Sequence, residues 1–340
     1  MTVDRAAAPS PSRSTLADLP PEWQVLHHAI LSDGALAIVA TDGDLATEHR
    51  RTEAALRARA TPDPPSRVRE LAAAGRARIW TMTPGGGWAE GPSFALETHL
   101  PRLDRFADGR WLVVDRMSGE ANMRILSPEG TVLKRFSLGI GVEHLAIDDD
   151  RIWVGWDDQS IFPNGAWQVP GRHTSHLAHA VICFTDDGSP SFLPVWPEHG
   201  GYVVDPYAMS VDGVGAWSCP YMAALDYFPL VRFVPGEPTR WWRTDVKGSL
   251  AIATDGRHAV LAGGYERDRL ALLSLPGTGA GEQAVVLATW SLPLPPPSPG
   301  GTWVSERLTF LMGRGDTIHL VQDRIWYRWR VRDLAGVVTR

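Results

Sequence analysis

LPRLDRFADGRWLVVDR, Leu100 to Arg116, is an apolar run, a turn carrying Asp108-Gly109, and a second run rich in Val, Leu and Trp. Asp-Gly between two β-rich runs supplies the positive φ angles of a tight hairpin turn, so the stretch reads as two antiparallel strands. The same unit recurs as VLHHAILSDGALAIVATDG from Val25, VEHLAIDDDRIWVGWDD from Val142, DPYAMSVDGVGAWSCPY from Asp205, SLAIATDGRHAVLAGGY from Ser249 and LTFLMGRGDTIHLVQDRIW from Leu308. With Leu100 to Arg116, that makes six copies. Their turns centre on Asp33-Gly34, Asp108-Gly109, Asp149-Asp150, Asp212-Gly213, Asp255-Gly256 and Gly315-Asp316.

Most copies are followed by a second hairpin, such as ARIWTMTPGGGWAEGPSFALE from Ala77 or ANMRILSPEGTVLKRFSLG from Ala121. Two hairpins make a four-stranded sheet that cannot bury both faces alone, and radial stacking of such sheets leaves only short edges. The sequence therefore predicts an all-β fold, a six-bladed β-propeller with four-stranded antiparallel blades; a pair of packed sheets is the alternative. The last copy lacks a fourth strand after Ile325 to Arg332, and a segment near Leu16 to Trp23 is expected to complete it. Residues 1–15 read as a disordered tail and 16–340 as a single propeller domain.

Two insertions break the rhythm. Residues 45–75, with ATEHRRTEAALRARA and PPSRVRELAAAG, carry helical spacing and many Arg, and predict a helical insertion in blade 1. Residues 292–301, LPLPPPSPGG, predict an extended Pro-rich connector, with a PxxP-type partner site as the other use of such a stretch.

Composition narrows the partners. The chain has 340 residues, 44% hydrophobic and 21% charged, which suits a globular core. Fifteen Trp favour stacked sheets, where wide rings bury large areas. A net charge of -6, with no basic run interleaved with aromatics, argues against nucleic acid. Two Cys, Cys183 and Cys219, are too few for a disulfide framework or a Cys-type zinc site. The N-terminal stretch has no apolar core of a signal peptide and no run long enough to span a bilayer, so the expectation is a cytoplasmic protein without a membrane partner.

Asp108 to Gly139 resembles one NHL repeat, with a strand ending at Asp115, an Asn122-x-Arg124-Ile125 element and a hairpin at Pro128-Glu129-Gly130. The remaining copies resemble the wider TolB-like six-bladed group in rhythm. Ala89-Glu90-Gly91-Pro92-Ser93-Phe94 is similar to the EGPxW stretch of SMP-30/gluconolactonase-type propellers, a resemblance that implies a metal-binding Glu.

In a propeller, the loops entering the first strand of each blade and leaving the second crowd one rim, where ligands are expected. Aligning the turns places Leu26, Pro101, Glu143, Asp205, Gly248 and Thr309 at one position, and His27, Arg102, His144, Pro206, Ser249 and Phe310 at the next. Acid and imidazole gather in blades 3 and 4, and Asp115 and Asp157 end second strands at the same rim. The loop following blade 3's second strand adds His173 and His176, and the loop entering blade 4 adds His199.

His with Asp and Glu can ligate a divalent ion or serve as general acid and base. The candidate catalytic residues are His144, Asp157 and Glu143; the candidate metal ligands are Glu143, His144 and Asp205, for Ca, Mn or Zn. His27, Asp115, His173, His176, His199 and Asp205 are the candidate ligand contacts. No G-x-S-x-G elbow, P-loop, H-E-x-x-H or dinucleotide fingerprint occurs.

Two functions remain open. One is a ligand-binding propeller acting as a metal-assisted hydrolase or lactonase-like enzyme. The other is a non-catalytic propeller that binds a small molecule or a protein.

Overall fold

A computed structural model describes residues 7–45, 66–83, 86–98, 100–117, 121–157, 180–195, 203–222, 228–294 and 310–338. It shows the all-β architecture expected, a six-bladed β-propeller of four-stranded antiparallel blades.

The strands run in chain order. β1 (Ser12–Thr15) precedes blade 1, made of β2 (Gln24–Ile30), β3 (Leu36–Thr41), β4 (Arg76–Met82) and β5 (Trp88–Ala95). Blade 2 is β6 (Pro101–Arg105), β7 (Trp111–Asp115), β8 (Met123–Leu126) and β9 (Val132–Phe136). Blade 3 is β10 (Val142–Asp148), β11 (Arg151–Trp156), β12 (Val181–Phe184) and β13 (Pro190–Phe192). β14 (Val203–Asp205) comes next; blade 4 then takes β15 (Met209–Val211) and β16 (Ala216–Ser218), and after β17 (Tyr221–Met222) it takes β18 (Leu230–Phe233) and β19 (Arg240–Arg243). Blade 5 is β20 (Ala251–Thr254), β21 (His258–Ala262) and β22 (Arg269–Ser274), with β24 (Val285–Ser291) outermost after β23 (Ala280–Gln283). Blade 6 is β25 (Phe310–Arg314), β26 (Thr317–Gln322) and β27 (Ile325–Arg330), completed by β1.

The Asp-Gly turns form for the reason read from the sequence. Gly34, Gly109, Gly213 and Gly256 sit at φ of 79°, 89°, 84° and 85°. The preceding Asp carboxylates accept backbone N–H groups two residues on, as Asp33 does from Ala35 at 3.0 Å and Asp255 from Arg257 at 2.9 Å. Blade 3, lacking Gly, places Asp149 itself at φ 53°.

The residues group into two compact units, Leu16–Ile147 and Met1–Thr15 with Asp148–Arg340. In the first, the core joins Leu31, Val39, Ile79 and Leu96 of blade 1 to Leu103, Trp111 and Val113 of blade 2. Arg124 of β8 is buried and donates to the Ala95 and Leu96 carbonyls, both at 2.6 Å. Asn122 donates to the Asp115 and Gly139 carbonyls and accepts from the Leu138 N–H. Asn122 and Arg124 thus work as two backbone staples. In the second unit, the Trp217 and Trp242 rings stack with centroids 5.7 Å apart, and Trp153 is wholly buried. The abundant Trp fills the sheets as expected.

Three expectations are corrected. The strand completing blade 6 is Ser12–Thr15, not Leu16 to Trp23, so that part of residues 1–15 is a strand rather than a disordered tail. Leu16 to Trp23 serves blade 1 instead: Leu19 and Trp23 pack with Trp80 and Trp88, and the Trp88 indole donates to the Ala17 carbonyl at 2.9 Å. Asp205 is not on the first strand of blade 4, which is only Met209–Val211; it belongs to β14, in a two-stranded ribbon with β17. The chain after Arg330 turns from strand to helix at Val331–Val338, where Val331 and Leu334, three residues apart, are buried on one face.

Of the insertion at residues 45–75, the described part contains one helix, Ser66–Ala74. Most of the Pro-rich stretch 292–301 lies outside the described residues.

Candidate functional site

The rim residues of the first unit come from three blades. Register pairs Pro101 with Asp115, so β6 begins where β7 ends, and Arg102 and Arg116 emerge there together. The Arg116 N–H donates to the Leu100 carbonyl at 3.2 Å, and its carbonyl accepts the Gly141 N–H at 2.7 Å. That second bond holds the start of β10, and with it Glu143, beside the end of β7.

Glu143 is gripped from two sides. Arg102 Nε donates to the Glu143 carbonyl at 2.9 Å and Arg102 Nη2 to Oε1 at 3.2 Å. Arg116 Nη2 stands 2.6 Å from Oε2, an ion contact without hydrogen-bond geometry. Burial opposes the charge on Glu143; Arg102, Arg116 and His144, with the Arg102 hydrogen bond, outweigh it and hold the carboxyl below the usual 4.5.

His27 and His28 lie on β2 beside a break in its register between Val25 and His27. Burial foremost, then Arg102 and His28, pushes His27 well below its ordinary value, and burial brings His28 to about 4. Both rings are neutral at pH 7. Arg102 and Arg116 thus meet at Glu143, with His144 beside the carboxylate and His27 beside Arg102.

Other expected residues lie elsewhere. Asp115 ends β7, and its Oδ1 accepts the Met117 N–H at 3.0 Å, closing a local turn. Asp157 is buried just past β11. Asp205 is half-buried on β14 and pairs in register with Tyr221. His173, His176 and His199 lie outside the described residues. Glu90, of the EGPxW-like stretch, is on β5, the outermost strand of blade 1, in an ion pair with Arg78. Among the described residues, no group of three or more His, Cys, Asp or Glu could hold a metal ion, and no helix is long and apolar enough to cross a membrane.

The sequence alignment had already put Arg102 level with His27 and His144. Arg116 was missed, because its role depends on the β7-to-β10 link and not on any motif. Its signal was indirect, a cation directly following the Asp that ends a second strand.

No known sequence family matches the chain, and no curated protein matches it. Among solved structures it is similar to Hsv2 from Kluyveromyces lactis, with TM-score 0.49, 8% identity and coverage of 91% of this chain and 74% of that one. It is also similar to virginiamycin B lyase from Staphylococcus aureus, with TM-score 0.47, 10% identity and coverage of 93% and 98%. BamB from Moraxella catarrhalis gives TM-score 0.43, 12% identity and coverage of 96% and 85%. These neighbours differ in function, and at such identities the likeness concerns the fold alone.

Proposed function

We propose that this chain is a ligand-binding propeller whose ligand in the first unit is a small organic anion, held at the rim where β2, β6 and β10 begin. The observation that carries this reading is the convergence of two guanidinium groups, Arg102 and Arg116, on Glu143, with His144 beside it and His27 beside Arg102. Guanidinium groups present planar, fixed donors that match a carboxylate or phosphate. Glu143 orders both of them in advance, which lowers the cost of immobilising them when a ligand arrives.

The metal-assisted reading expected from the sequence would place a dication beside Glu143. That carboxylate would first have to give up Arg102 and Arg116, and the dication would then stand beside two guanidinium groups. Glu143, His144 and the neighbouring His27 therefore fit a metal poorly, and no catalytic step is assigned to one. The NHL or TolB-like type stands as a proposal on the Asn122 and Arg124 staples, which follow the pattern quoted for Asp108 to Gly139.

The test is a thermal-shift and calorimetric screen. Mono- and dicarboxylates and phosphate monoesters should raise the melting temperature saturably, and Arg116→Ala should abolish the shift, whereas Mn, Zn and Ca should leave it unchanged. Stabilisation by a divalent ion with no response to anions would replace this reading with the metal-assisted one.

A further inference from the structure

Each blade ends in an outermost strand, and the outer edge of such a strand turns backbone N–H and C=O groups toward any other strand that can pair with them. Most of these strands carry a charge or a Pro, the usual guards against such pairing. β5 holds Glu90 and Pro92, β9 holds Lys134 and Arg135, and β13 is three residues long and begins at Pro190. The strands added outside β19 and β27 are short and charged too, β23 with Glu282 and β1 with Arg13.

β24 is the exception. Its seven residues, VVLATWS from Val285 to Ser291, contain neither a charge nor a Pro. Val285, Val286 and Leu287 follow one another at 51%, 41% and 38% exposure. A bulge does not set β24 apart, since β5, β9, β13 and β24 all pair inward with a register shift. Its inner side is fixed along its length by β22, and Trp290 is buried in one cluster with Ile318, Leu320 and Trp329 of blade 6.

Two observations indicate what the outer side accepts. At its far end the edge already takes extended chain: Ala7 bridges Ser291 in parallel, and the Ala8 N–H donates to the Ser291 carbonyl at 3.2 Å. Alternate residues of a strand point their main-chain groups the same way, so Thr289 offers its own N–H and carbonyl on that side. The second observation is charge. A strand meeting its own copy across a two-fold axis brings like residues close together, and like charges placed there repel. β9 would set Lys134 and Arg135 against their copies, whereas β24 would set valine and leucine against valine and leucine.

We propose that β24 is a self-association surface on which a second copy of this chain adds its own β24, antiparallel, to the blade 5 sheet. Main-chain hydrogen bonds join the two sheets, and Val285, Val286 and Leu287 of each copy leave water. Few side chains take part, so the dimer is weak and forms with rising concentration. The surface is independent of the anion proposed for the first unit.

Sedimentation equilibrium of the full chain, from low micromolar to near millimolar concentration, tests this. The average mass should rise from that of one chain toward that of two. Val286→Lys should raise the dissociation constant about tenfold or more, because apolar burial is lost from both copies and two like charges approach. Val132→Lys, on the charged edge of β9, should leave it unchanged. Both positions are exposed, and melts followed by Trp fluorescence establish that the variants fold. Hydrogen exchange of the β24 amides should slow as the dimer fills. A chain that stays single throughout, a Val286→Lys chain that associates as the parent does, or a dimer with unchanged β24 exchange would each overturn the proposal. So would a chain that associates only once residues 1–6 are deleted, which would assign this edge to its own N-terminus.

Discussion

Replacing Arg124 with Met keeps most of the buried stem and removes the guanidinium, which isolates what the polar head contributes. Arg124 Nη1 and Nη2 each satisfy one carbonyl, those of Ala95 and Leu96, where blade 1 hands over to blade 2. Leaving a buried carbonyl without its donor costs about 1–3 kcal/mol, so two cost about 2–6 kcal/mol. The Glu97 contact, at 3.3 Å, adds little, because Glu97 is 38% exposed and keeps Arg135 at 2.8 Å and 3.0 Å. Urea unfolding at neutral pH, followed by Trp fluorescence, should therefore show a loss near 4 kcal/mol, roughly the middle of that range, for Arg124→Met, and under about 1 kcal/mol for Glu97→Gln. A Met variant within about 1 kcal/mol of the parent would refute the view that Arg124 is a backbone staple, as would a Glu97→Gln loss of equal size.

Gly313→Ala should destabilise the chain severely or prevent soluble expression, since a Cβ there would lie 1.6 Å from the Ile252 carbonyl oxygen; a melting temperature within a few degrees of the parent would contradict this close approach of β25 to β20. Deleting residues 1–15 should lower the melting temperature and promote association, because it uncovers the edge of β27 that Ser12–Thr15 pairs with; size-exclusion chromatography reads the outcome. Stability should fall as pH drops below about 6.5, before the carboxylates titrate, because His28 and His319 are buried neutral with values near 4 and 3. A base with a depressed folded value contributes stability that is complete above its unfolded value and lost as pH falls toward the folded one, roughly 3 kcal/mol for His28, so His28→Leu should flatten the melting curve between pH 6.5 and 4. Glu143, a depressed acid, acts lower, below 4.5, and Glu143→Gln should remove acid sensitivity only there.

The blades were legible because their signals are local. An Asp-Gly pair between β-branched runs specifies a hairpin whatever surrounds it, and the glycines and Asp carboxylates of the turns behave as their chemistry demands. The segment completing blade 6 was misplaced because SRST carries no apolar pattern: Ser12, Arg13 and Thr15 are exposed on an edge strand, held by Arg13 over Tyr327 and by Arg328 donating to Ser14. Leu16 to Trp23 looked better on hydrophobicity, and it does pack the half-buried Trp23, but against blade 1. β23 was illegible for a related reason. It runs parallel to β19 through AGEQ, and its place is explained by the close approach of Gly279 and Gly281 to Trp242 and Trp241 and by hydrogen bonds such as Trp241 N–H to the Gly279 carbonyl, none of which a residue pattern announces.

The site divides along the same line. Counting back from the turn put His27, Arg102 and His144 at one position and Glu143 at the one before, and the structure sets Arg102 against Glu143 and near His27, since hairpin register is set by the turn. The same count failed at Asp205, where the strand breaks after β14 and resumes at Met209, a shift no residue type announces. What the sequence could not convey was that Glu143 is already paired with Arg116. Acid and imidazole in adjacent blades suggest a cation site when Arg116 is overlooked, and the proposal of an anion rests on the guanidinium 2.6 Å from Glu143 Oε2. A cation reaching that carboxylate would have to displace Arg116 and then stand beside its charge, which is why the pair already in place bears on the ligand proposed for the rim.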